Sequence, residues 1–473
     1  MVDVDLFKHD PYVLATGMSM VNVGSGLWVL AATLLGMPVS TTHSVVGAVL
    51  GIGISSFGWN GVKWQFKKGF LGVLASWFIS PVFSGTLAAI FYMTVKYTVL
   101  LLPTKEAQLQ RGLALTPVWC FFAGGIVWGF MFIKGIPSLK KAKYELTIPL
   151  TFGLALVHMA LGAFLAVPWL RRTIVDRENL PWWTMIMTPA VAVGSYGYRT
   201  EDEELKAAYG FGDEEAKAPA AAPMQPMPVA AAQQAPDPYA YPAVGVMGSA
   251  FGAGQDVVGS VVPALAVDSG IGAKREEDAA MHAVAFTVDD SVEELFKFLQ
   301  LCSCCMFSMS HGANDVANAV GPFAAVWGIY STGKVDKKQE VPIWVLVYGG
   351  IALDIGLLTL GHIIMSALGN RLTLQSPSRG SCIELGAMLT VMIASRNGIP
   401  VSTTHCISGA TMAVGLCNGT VDALNWRLIA IIFGGWIITC PSAAFITGML
   451  YWGIVSAPRP LEGNGFFSGS KPE

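Results

Sequence analysis

Pro38-Val39-Ser40-Thr41-Thr42-His43 recurs, residue for residue, as Pro400-Val401-Ser402-Thr403-Thr404-His405, 362 residues further along a chain of 473. Six identical residues in the same order mark an internal duplication, and the match extends beyond them. At the same offset Gly24 pairs with Gly386, Gly36 with Gly398, Gly47-Ala48 with Gly409-Ala410, Trp64 with Trp426 and Gly72 with Gly434. With a slight shift, Trp77…Pro81 parallels Trp436…Pro441. Each hexapeptide sits between short apolar runs, and Pro38 and Pro400 stand where a helix would restart, because proline suits a first helical turn. Paired discontinuous segments in two halves of a chain point to a binding site at membrane depth, built from broken or re-entrant helices that line an enclosed cavity.

The composition places those segments in a bilayer. The chain is 53% hydrophobic and only 13% charged, where a soluble domain carries about 25% charged residues. Residues 11–62 contain no Asp, Glu, Lys or Arg, enough for two spans of roughly 20 residues. Apolar runs fall near 12–34, 40–57, 69–101, 115–134, 147–169, 294–309, 312–330, 341–368, 383–396, 401–417 and 427–456. The expected fold is an all-α polytopic membrane protein of two inverted repeats. An integral, multi-pass position follows, in the plasma membrane rather than an internal one.

A hydrophilic insert divides the halves. Segment 171–293 holds 8 basic and 18 acidic residues, net −10, which leaves the remainder of this net −3 chain at +7. Its Ala/Pro-rich tract 216–243 is of low complexity and cannot bury a core, so the loop is expected to be disordered. Acidic clusters Glu201–Glu204 and Glu276–Asp278 are expected in solvent. The organisation reads as a first membrane repeat at 1–170, the loop at 171–293, a second repeat at 294–458 and a tail at 459–473. Eight cysteines lie in or beside apolar runs with no zinc-type spacing, so they read as buried and inert.

Chemistry concentrates at His311–Pro322, HGANDVANAVGP. Asp315 is the only formally charged side chain between Phe307 and Gly333. An ionisable residue at membrane depth is costly, and its default reading is an ion-handling site. Asn314 and Asn318, four apart, share a helix face. The two Ser-Thr-Thr runs add hydroxyl donors, and half-helix N-termini add backbone N–H groups and a positive dipole end, a cradle soft enough to release an oxyanion. Asp315 cannot attract an anion; its role would be to hold Na⁺ or H⁺, whose charge offsets the anion's. The expected substrate-binding set is Asn314, Asn318, Ser402, Thr403, Thr404, Ser40, Thr41 and Thr42, with Asp315 and Glu384 as coupling-ion residues. Glu384 reads equally as a solvated segment end, and His43 and His405 read as structural residues before ligands. Asp354, with His362 eight residues on, is a further intramembrane acid without a visible partner.

The segments GANDVANAVGP (312–322), PVSTTH (38–43 and 400–405) and IELGAMLTVMIASRNGIPVSTTHC (383–406) resemble the PiT-type inorganic phosphate transporter family over about 12–135 and 294–456. That resemblance implies about twelve spans in two inverted repeats, and phosphate uptake driven by Na⁺ or H⁺. It also implies that Asn314, Asp315, Asn318, Ser402, Thr403 and Thr404 form one half-site and Ser40, Thr41 and Thr42 part of the other, with Glu384 serving transport. The family's first acid/amide motif has no match here. The counterpart of Asp315, which precedes Ser402 by 87 residues, would fall about 47 residues before Met1, so an N-terminally truncated form is expected. The partners implied are inorganic phosphate and the lipid bilayer, with room for a homo-oligomer and no nucleic acid. No cofactor is expected, and no nucleotide loop, triad or metal cluster suggests an enzyme. A non-transporting phosphate sensor signalling through the acidic loop, or a symporter of another oxyanion such as sulfate, stands as the alternative.

Overall fold

A computed structural model describes residues 2, 4–66, 69–132, 144–187, 279–336, 341–369, 371–396, 399 and 401–456. The Ala/Pro-rich tract, both acidic clusters and the 459–473 tail lie outside the described residues. The principal elements are α1 (Pro11–Leu34), α2 (Thr41–Phe57), α3 (Phe70–Val95), α4 (Lys105–Phe130), α5 (Tyr144–Leu161), α6 (Asp290–Thr332), α7 (Ile343–Leu368), α8 (Pro377–Arg396), α9 (Thr403–Leu416) and α10 (Trp426–Val455). Six helical stretches are long and apolar enough to cross a membrane: Pro11–Leu34, Phe70–Leu100, Lys105–Phe130, Glu145–Val175, Ile343–Met365 and Trp426–Val455. Two others are not. The 17 residues of α2 and 14 of α9 extend about 26 and 21 Å at 1.5 Å per residue, short of a hydrocarbon core of about 30 Å. These are half-helices.

Local chemistry sets where each broken helix restarts. The Ser40 side chain accepts the His43 N–H at 3.3 Å, and the Ser402 side chain accepts the His405 N–H at 3.2 Å. An N-cap of this kind satisfies one of the donors a helix start leaves open. Upstream, α1 stops where Gly36 takes φ +66°, a backbone region that glycine enters without steric cost.

The duplication is visible in the packing. Helix α2 lies against α10, and its sequence counterpart α9 lies against α3, the counterpart of α10. The repeats thus exchange partners as a two-fold relation requires. The matched glycines allow it: a Cβ on Gly47 would collide with the Cys440 carbonyl, and one on Gly409 with the Pro81 carbonyl. Helices at these two crossings touch backbone to backbone, the close approach that small residues permit in membranes.

One expectation fails in detail. The runs 294–309 and 312–330 read as two spans, yet they form the single 43-residue α6. Neither the polar stretch at His311–Asp315 nor Pro322 carries a cap or turn that would end the helix. Hydropathy dips there because the side chains are polar, while the backbone runs on. Helix α6 starts at Asp290, with Asp289 as N-cap, and Asp289 meets Lys105 at 2.9 Å. Burial opposes ionisation of Asp289, but Lys105 and Ser291 hold its pKa below the usual carboxylate range.

Residues 168–276 form a second unit, described over 168–187. There Arg172 forks onto Glu178, with Nε at 3.1 and 3.0 Å from the two carboxylate oxygens.

Candidate functional site

The middle of α6 carries the site. Asp315 is largely enclosed, its side chain 9% exposed, and its oxygens are met from three directions. The Thr403 hydroxyl, at the first turn of α9, donates to Oδ2 at 2.7 Å. The amides of Asn314 and Asn318 each donate to Oδ1 at 3.2 Å. His311, one turn earlier on α6, places Nε2 against Oδ2. The carboxylate is therefore surrounded by donors, as an enclosed charge must be.

The same amides reach both repeats. Asn314 also donates to the Val401 carbonyl at 3.2 Å, in the break before α9. Asn318 donates toward Thr41 Oγ1 at 3.3 Å and Thr42 Oγ1 at 3.1 Å, at the start of α2. The (i, i+4) spacing of Asn314 and Asn318 allows this, because both project from one face. One polar node thus joins the restart points of the two broken helices. It stays open on one side, where Thr41 and His311 are exposed.

Of the residues expected in the site, Asn314, Asp315, Asn318, Thr41, Thr42 and Thr403 share this hydrogen-bonded network. Ser40 and Ser402 border it as N-caps: their oxygens accept from the backbone, which leaves each O–H proton to donate. Thr404 is half-buried and takes no part in the bonds around Asp315. Glu384 stands elsewhere. It accepts from Ser303 of α6, and Ser303 precedes Asp315 by twelve residues, about 18 Å along the helix axis.

The sequence reading assigned no role to His311, although its (i, i+4) spacing from Asp315 was a usable signal. Ser303 as the partner of Glu384 had no signal, because α6 and α8 meet only in the folded chain. His43 and His405 are buried, at 0% and 1% exposure. Each stacks on a tryptophan: His43 on Trp77 with centroids 3.6 Å apart, His405 on Trp436 at 3.7 Å. Among the cysteines Cys382, Cys406 and Cys440 are buried, whereas Cys304 and Cys305 are exposed on α6, unlike the expectation for them. Asp354 and His362 lie exposed on the apolar α7.

Short helices capped alike in two halves of an apolar chain, meeting around an enclosed carboxylate, define a secondary transporter for a small solute. The chain belongs to the phosphate transporter family, whose model matches residues 1–447. It is 35% identical to the phosphate-repressible phosphate permease pho-4 of Neurospora crassa, over 97% of this chain and 87% of that protein. It is 28% identical to the human sodium-dependent phosphate transporter 2, over 96% of this chain and 88% of the relative. A solved structure described as the sodium-dependent phosphate transporter matches with a TM-score of 0.65 at 25% identity, over 97% of this chain and 83% of that one.

Proposed function

We propose that this chain carries inorganic phosphate across a membrane in symport with Na⁺, with Asp315 as the residue that ties ion to anion. The observation that carries the reading is the Asn318 amide, whose two N–H protons reach Asp315 on one side and are shared between the Thr41 and Thr42 hydroxyls of the opposite repeat on the other. Phosphate would take the backbone N–H groups that the first turns of α2 and α9 leave open, with hydroxyl protons from Ser40, Ser402, Thr41, Thr42 and Thr404, while Thr403 spends its own on Asp315. A cation beside Asp315 would supply the positive charge that this donor set lacks. Such a cradle binds softly, since it has no arginine fork, and so permits release. Glu384 with Ser303 would form a second, separate coupling-ion position. We assign residues 1–170 and 294–458 to the two repeats, 171–293 to the hydrophilic loop and 459–473 to a tail. A plasma-membrane position and transport without any cofactor belong to the same proposal.

The test is uptake of radiolabelled phosphate into proteoliposomes holding the purified chain. An inward Na⁺ gradient is expected to drive uptake, and arsenate, a near-isostere of phosphate, to compete while sulfate does not. Replacing Na⁺ by choline under a pH gradient separates the two ions. Uptake that ignores both gradients would overturn symport, and competition by sulfate would overturn the substrate.

A further inference from the structure

Two histidines lie at the join between the repeats, and the transport chemistry leaves them unused. His43 and His405 occupy the same place in the first turn of α2 and α9, three residues after the capping serine. Each ring stacks on the tryptophan of its own repeat, and the two imidazoles meet edge to face with centroids 4.2 Å apart at 80°. The four rings therefore run Trp77, His43, His405, Trp436 across the repeat boundary. The His405 ring also crosses it by a hydrogen bond: Nδ1 lies 3.1 Å from the Trp77 carbonyl of the other repeat. A carbonyl only accepts, so Nδ1 carries the proton and donates. His43 faces the Trp436 backbone from the mirrored position, at a geometry that falls short of a closed hydrogen bond.

We propose that His43 and His405 are positioning residues that hold the two Ser-Thr-Thr arms at a fixed spacing. Each histidine holds its arm at two points: its backbone N–H is tied to the capping serine, and its ring is tied to the other repeat. Thr42, next to His43, meets Asn318; Thr403, two before His405, meets Asp315. A shift of one imidazole would therefore move hydroxyls that the polar node requires. Ring packing and the approach to the other repeat's tryptophan backbone are shared by both histidines, but the closed cross-repeat hydrogen bond, at 3.1 Å, belongs to His405. The roles are unequal for that reason, which distinguishes a positioning pair from aromatic filling of a core.

The inference rests on the phosphate reading for its transport readout, and a second readout is independent of it. His405→Phe keeps a stacking ring and loses the N–H donor; the phosphate concentration for half-maximal uptake is expected to rise about tenfold, the scale of one buried hydrogen bond with its partner left open. Maximal uptake per molecule in the membrane should stay within about twofold, since the arms remain present and only their spacing is relaxed. His43→Phe should change the half-saturation value less, and His405→Asn, whose amide can reach the same carbonyl, should restore most of it. Equal effects of the two Phe variants, or a fall in maximal uptake alone, overturn the proposal. If the Phe variants fail to reach the membrane, His405→Asn decides: near-native affinity supports a donor role and tenfold weaker affinity refutes it. Hydrogen–deuterium exchange on the purified protein gives the second readout. His405→Phe should speed exchange at residues 41–46, on the other repeat, and a change confined to 403–410 overturns the coupling. A wild-type chain that takes up no phosphate would sink the transport reading while the exchange result still decides the pair.

Discussion

Ser40 and Ser402 each accept the N–H of the histidine three residues on, at 3.3 and 3.2 Å, and each of those histidines stacks on a tryptophan of its own repeat. Up to that point the two arms are one structure written twice. Their neighbours differ. Thr403 donates to a carboxylate, the Asp315 Oδ2, while Thr41 and Thr42 face the Asn318 amide. Both contacts come from the middle of α6, a helix of the C-terminal half of the chain. Identical hexapeptides thus encode identical helix starts, and the asymmetry of chemistry is supplied by a single helix that serves both. The arm at 402 is the charged side of the site and the arm at 40 the neutral side.

The largest effect expected from this asymmetry lies at Asp315. Asp315→Asn keeps the shape and removes the charge, and the donors around it lose an ionic acceptor. Disturbing a buried charge set costs about 3–5 kcal/mol, or upward of roughly a hundredfold, so phosphate uptake should fall to background with membrane protein unchanged. Uptake near wild type would remove Asp315 from the mechanism. Next come the threonines, where the comparison is direct. Thr403→Val removes a hydrogen bond to a charged group, about 1.5–3 kcal/mol, and should weaken transport roughly tenfold or more. Thr41→Val leaves Asn318 the Thr42 hydroxyl and should cost no more than about threefold, a fraction of one neutral hydrogen bond. Equal losses in the two variants would break the division into charged and neutral arms.

Glu384 sharpens the comparison from outside. Its partner Ser303 lies about 18 Å along α6 from Asp315, and Glu384 shares none of the hydrogen bonds around Asp315. Glu384→Gln is therefore expected to raise the Na⁺ concentration for half-maximal uptake about tenfold, the scale of one charge-assisted contact. Phosphate affinity at saturating Na⁺ should stay near native. Loss of phosphate affinity instead would merge the two positions into one site.

Much of this was legible in the chain. The repeated hexapeptide located both helix breaks, because a proline followed by a hydroxyl-bearing cap is a local signal that needs no tertiary context. The four-residue spacing of Asn314 and Asn318 put both amides on one face for the same reason. What the sequence hid is set by packing. The continuity of α6 through His311–Asp315 could not be read, because a polar stretch lowers hydropathy whether or not the helix ends. The partner of Glu384 is 81 residues away in sequence. The four-ring run joins residues of different repeats, with Trp77 at one end and Trp436, 359 positions on, at the other. Glycines at 47 and 409 were visible as a matched pair, but only the helix crossings explain them: each faces a carbonyl of the other repeat.

The smallest predicted effect tests whether the arms are alike where they should be. Ser40→Ala and Ser402→Ala each remove an N-cap, at about 1 kcal/mol of stability. The two sites cap different helices and share no hydrogen bond, so their costs should be similar and should add in the double variant to within about 0.5 kcal/mol. Thermal unfolding in detergent reads this. Asn at either position keeps a capping oxygen, so Ser40→Asn and Ser402→Asn should recover the midpoint. Uptake should separate from stability here, because asparagine replaces the hydroxyl proton offered to the anion with a bulkier amide. If Ser402→Ala destabilised the protein far more than Ser40→Ala, the likeness of the arms would fail at its root. The cap on the charged side would then be held by Asp315 and its donors as well as by its own helix.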